Sequence, residues 1–116
     1  MLTVEQVKKL EEAHRKKLIK KTLKEIEENP KLKALFNSIE RTIVKNIPNK
    51  WRRGVSIEEE DVYREYCFDK NKNLTKPQIK EEKYKFINKI QNMMKILGYS
   101  YRVSDDRKKD YVIFYW

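Results

Sequence analysis

Between residues 75 and 97 apolar side chains recur every three or four positions: Ile79, Phe86, Ile90, Met93, Met94 and Leu97. That spacing puts them on one face of a helix. Thr75 followed three residues later by Gln78 has the spacing of a capping box, and Pro77 falls in the first turn, where its missing N–H costs nothing. Gly98 stands where a left-handed C-cap would fall. Beyond it the period drops to two. Val112, Phe114 and Trp116 alternate with Tyr111, Ile113 and Tyr115, and segments 99–103 and 110–116 flank a polar tip at 104–109. This predicts a C-terminal β-hairpin, with Arg107, Lys108 and Lys109 at its tip.

Upstream the pattern is helical. Residues 3–28 open with Thr3 and Gln6 at capping-box spacing. Val4, Val7, Leu10, His14 and Leu18 form one stripe, and Ile19, Leu23 and Ile26 a second, rotated one. Asn29-Pro30 ends this helix and starts another, on which Leu32, Leu35, Phe36, Ile39, Ile43 and Ile47 line one face until Pro48. Residues 49–55 are a connection with room for a short strand. A further helix is expected from Ser56, with Glu59 completing a capping box and an acidic run over its first turn, where the helix dipole favours negative charge. Val62, Tyr63, Tyr66 and Cys67 make its buried side, and the polar run 69–74 is a turn. The expected class is mainly α with a C-terminal β-hairpin (α+β): an amphipathic N-terminal helix over 1–29, then a domain over 30–116.

Composition adds a sign to this picture. The 116 residues carry 28 Lys and Arg against 18 Asp and Glu, a formal charge of +10. The excess is concentrated: segment 29–56 holds seven cations and one anion, and 76–116 holds ten and five. A field of that sign attracts polyanions. Abundant Lys with only two Ala fits an AT-rich coding genome, of a virus or a low-GC microbe. One cysteine, Cys67, allows no internal disulfide and reads as a structural thiol, and one histidine, His14, excludes the common Cys/His metal sets. With no glycine-rich phosphate loop and no nucleophile–base spacing, neither enzyme chemistry nor a cofactor is expected. No membrane span and no signal-peptide core are present, so the expected location is cytoplasmic, or the host-cell interior for a virus.

The face of the 75–97 helix opposite its apolar stripe holds Lys80, Tyr84, Lys85, Asn88, Asn92 and Lys95, with Lys76 in its first turn. Lysines neutralise phosphates, and Asn and Tyr meet base edges or phosphate oxygens. Lys76, Lys80, Tyr84, Lys85, Asn88, Arg107, Lys108 and Lys109 are therefore candidate DNA-binding residues, together with Arg52 and Arg53. Trp51, flanked by Lys50, Arg52 and Arg53, has two readings: a stacking residue in a phosphate-binding patch, or a core-edge tryptophan with snorkelling neighbours. The second face of the hairpin, Tyr111, Ile113 and Tyr115, and the stripe of Val7, Leu10 and Leu18 are candidate homodimer contacts.

From residue 30 the order is helix, short strand, helix, turn, long helix, hairpin. That order resembles the winged-helix family, the hairpin-bearing variant of the helix-turn-helix. The resemblance implies a DNA-binding protein whose recognition helix is 75–97 and whose wing tip is Arg107, Lys108 and Lys109. The sequence departs from the family in a long turn before the third helix, in the length of that helix, and in the extra N-terminal helix. The leading expectation is a dimeric transcriptional regulator on duplex DNA. The alternatives are a protein-interaction module, such as a viral inhibitor of a host nucleic-acid-handling protein, and an RNA-binding protein.

Overall fold

The structure is a computed structural model that describes residues 1–49, 51, 53–106 and 109–116. Its elements are α1 (Val4–Glu28), α2 (Pro30–Asn46), β1 (Gly54–Glu58), α3 (Glu59–Tyr66), a 3₁₀ turn (Lys70–Lys72), α4 (Lys76–Ile96), β2 (Ser100–Asp106) and β3 (Lys109–Tyr115). Among the described residues, four α-helices and an antiparallel sheet of order β1-β3-β2 make an α+β fold led by an N-terminal helix. The arrangement is compatible with a winged helix.

The predicted helix starts are built as the sequence implies. Both capping boxes form, Thr3 with Gln6 and Thr75 with Gln78. The Asn29 side chain accepts the N–H groups of Lys31 and Leu32, and Pro30 follows it as the first helical residue. At the end of α4, Gly98 takes φ 102°, Tyr99 N–H donates to the Met94 carbonyl and Gly98 N–H to that of Lys95, both at 3.0 Å. That pair of bonds is a Schellman cap, and it turns the chain from α4 directly into β2.

One expected start is wrong. Ser56 does not begin a helix; it lies in mid-strand, opposite Ile113. Val55 and Ile57 are both buried, and the ladder to β3 runs from Gly54↔Tyr115 to Glu58↔Tyr111. A period of two, met by a partner strand, outweighs a local capping signal. The helix starts three residues later, after Glu58, which caps it with no side-chain bond. The hairpin thereby gains a third strand, and β3 becomes its centre.

The core draws on every layer: Leu32, Leu35, Phe36 and Ile39 of α2, Val55 and Ile57 of β1, Val62 of α3, and Val112 and Phe114 of β3. From α4 come Ile87, Ile90, Met93 and Met94; Phe86 and Leu97 pack at the core's rim and Ile79 is half-buried. Ile26 brings the second half of α1 into the same core, and Thr22 is buried beside it. Residues 1–17, by contrast, are all exposed. That projecting length explains a radius of gyration of 16.9 Å, where a compact chain of this size has about 13 Å.

Candidate nucleic-acid interface

The first turn of α3 sits where the sheet, the hairpin and α4 meet. Its acidic residues do more than favour the helix dipole. Glu60 accepts from Arg64 at 2.8 Å and, with its other oxygen, from Lys83 of α4 at 3.2 Å. Glu58, at the end of β1, lies 3.7 Å from Lys109 Nζ at the start of β3. One short acidic segment therefore ties both the front half of α4 and the tip end of the hairpin to the same frame. The Arg64 bond, seconded by Lys83, holds the Glu60 carboxyl below its ordinary range, while burial pushes Glu59 up, with the Asp110 charge adding to it. Glu58 is raised mainly by its hydrogen bond to Asp61.

A second tie lies deeper between α3 and α4. The Tyr63 hydroxyl donates to Glu82 Oε2 at 3.2 Å, the Cys67 thiol lies 3.6 Å from Glu82 Oε1, and Lys72 stands 3.9 Å from the same oxygen. Burial, then the Glu82 charge, pushes the Tyr63 phenol up to about 12. The same two causes raise the Cys67 thiol, which keeps it protonated and a poor nucleophile. This node joins α3 to α4.

The structure gathers some of the candidate residues and separates others. Lys76, Lys80, Tyr84 and Lys85 are exposed on the front half of α4, Tyr84 at 68%. Lys85 is partly neutralised by Glu81 at 3.1 Å. Asn88 is half-buried, because α1 crosses the rear half of α4 there. Leu18, Thr22, Asn88, Asn92 and Met93 line a groove of about 470 Å³ between the two helices, bridged by Lys89 and Glu25 at 2.9 Å. Lys109 is exposed beside Glu58 at the tip end of the hairpin, where it pairs with Asp106. Arg107 and Lys108 lie outside the described residues, as does Arg52. Arg53 is exposed, but it precedes Gly54, whose partner is Tyr115, so it stands at the far end of the sheet from the hairpin tip.

Trp51 is 93% exposed, so the core-edge reading fails. The candidate dimer contacts divide. Val7 and Leu10 are exposed at 38% and 58%, whereas Leu18 faces the groove to α4 in its own chain. Tyr111 and Ile113 are half-buried among cross-strand neighbours, and Tyr115 is exposed. The residues that sequence reasoning missed are Glu82 and Lys83. Glu60–Arg64 is an i,i+4 pair that could be read from the sequence, but Glu60–Lys83 spans 23 residues and leaves no local signal.

Among the described residues, no helix is long and apolar enough to cross a membrane. Comparisons with protein-family models, with curated proteins and with solved structures returned no match.

Proposed function

We propose that this is a winged-helix DNA-binding protein that acts as a homodimeric transcriptional regulator, with no catalytic activity of its own. The observation that supports it most is the shared acidic tie. Glu60 to Lys83 and Glu58 to Lys109 hold α4 and the hairpin in one frame, while Lys76, Lys80, Tyr84 and Lys85 stay exposed on the part of α4 that runs ahead of α1. A rigid helix with exposed lysines and a tyrosine suits the wide major groove of B-DNA. The deep, narrow major groove of A-form RNA admits no helix. The net charge of +10 supplies the long-range attraction.

The dimer reading rests on the exposed stripe of Val4, Val7 and Leu10 in the first turns of α1. A projecting stretch of this length is marginal as a lone helix in water, and a partner would stabilise it. Light scattering checks this: a dimer is expected, and a monomer at every concentration would remove this part of the proposal.

The binding test is fluorescence anisotropy on duplex DNA over a range of salt. Tight binding at low salt is expected, with affinity falling steeply as salt rises. Replacing Lys80 and Lys85 by Ala should lower the salt slope by about 2, one for each phosphate no longer neutralised. Failure to bind duplex at low salt would sink the reading. A host protein that co-purifies in stoichiometric amount after nuclease treatment would favour the protein-interaction alternative.

A further inference from the structure

The far end of the sheet carries chemistry that duplex binding through α4 does not use. Trp51 stands on the connection between α2 and β1, 93% exposed. A large aromatic side chain in water is costly to leave uncovered. The backbone presents it in a defined way: Trp51 N–H donates to Asn49 Oδ1 at 3.0 Å, and two residues on, the Arg53 carbonyl accepts from Trp116 N–H at 3.1 Å. Arg53 is thereby tied to Trp116 at the end of β3.

Beside it lies an open groove of about 350 Å³ lined by Ile47, Asn49, Arg53 and Trp116. Its lining combines an aromatic and an aliphatic side chain with an amide and a guanidinium. The sequence adds Lys50 and Arg52 on either side of Trp51, within a segment of seven cations and one anion. An aromatic face among cations matches the recognition of unpaired nucleotides, in which a base stacks on the ring and the backbone phosphates meet the cations. A duplex hides its base faces and could not use the ring.

We infer that Trp51, with Arg53 and the groove beside it, is a second nucleic-acid site, one that takes single-stranded DNA or RNA by stacking an unpaired base on the indole. It is separate from the duplex face. Gly54 pairs with Tyr115 at this end of the sheet, while Asp106 pairs with Lys109 at the hairpin end, and α4 enters β2 here by its C-terminus. The inference does not depend on the duplex reading, and either can fail alone.

The chain has two tryptophans, so each can be isolated. The probes are oligo(dT) and oligo(U), and the readout is intrinsic fluorescence of Trp116→Phe, in which Trp51 is the only emitting tryptophan. Strong quenching on oligonucleotide addition is expected there, and little in Trp51→Phe. Independently, Trp51→Ala in the otherwise native chain should weaken single-strand affinity by about tenfold while leaving duplex affinity within about twofold. Trp51→Phe should retain part of the single-strand affinity, which separates stacking from mere bulk. Circular dichroism establishes that each variant is folded. Unchanged single-strand affinity in Trp51→Ala would overturn the inference. So would quenching by anionic phospholipid vesicles but not by either oligonucleotide, since the ring would then be an interfacial anchor.

Discussion

The two ends of the small sheet are built on opposite terms. At the hairpin end, charges are matched: Glu58 faces Lys109, Glu60 faces Lys83 and Arg64, and the phenol of Tyr63 is spent on Glu82. At the other end an indole stands in water beside an exposed arginine. The first arrangement fixes geometry, because paired charges between elements set their relative angle. The second leaves an aromatic face open to solvent, because nothing among the described residues covers the ring. Cations alone therefore do not identify a contact surface in this protein. Lys83 is a tie, Lys109 is part tie and part surface, and Lys80 is surface.

The contrast can be broken from its middle outward. Phe114 is 1% exposed on the central strand and supports both ends. Phe114→Ala should cost about 3–5 kcal/mol and abolish both proposed binding activities, as seen by denaturant unfolding and anisotropy. Next is Tyr63→Phe, which leaves the half-buried Glu82 short of a donor. A loss of about 1.5–3 kcal/mol is expected, with weaker duplex binding and unchanged Trp51 fluorescence.

Glu60→Gln removes the tie between α3 and α4 with little change of shape. The pair is partly exposed, so the loss at neutral pH should be about 0.5–1 kcal/mol. Its pH dependence has a definite sign. The Glu60 carboxyl is held below its ordinary value of 4.5, so its contribution is whole above that pH and is lost as pH falls through the lower folded value. The wild-type advantage over Glu60→Gln in thermal unfolding should therefore shrink below pH 4.5. Glu58 and Glu59 are raised, so their charge costs stability above their folded values and acidification relieves it; they do not account for that convergence. The smallest effect belongs to the open end. Trp51→Ala should move stability by no more than about 0.5 kcal/mol, which a buried tryptophan could not do.

Much of this fold is legible without coordinates wherever the information is local. Thr3, Asn29, Thr75 and Gly98 place their helix ends by hydrogen bonds that reach no more than a few residues. The alternation in β3 shows which of its faces is buried, since Val112 and Phe114 are inside and Tyr115 is not. Ser56 misleads for the same reason that these succeed: its capping spacing is local and genuine, but the strand pairing that overrides it comes from residues 111–115.

The α+β class, the helix boundaries at strong caps, the C-terminal hairpin and the sign of the surface charge are written in the order of residues alone. Those follow from periods, caps and counts that act over one or two turns of chain. Packing between distant segments is what joins β1 to the hairpin, carries Ile26 of α1 into the core, makes Lys83 a structural partner and leaves Trp51 facing water. Each of these depends on which distant segment lies alongside, and contact across dozens of residues leaves no periodicity to read.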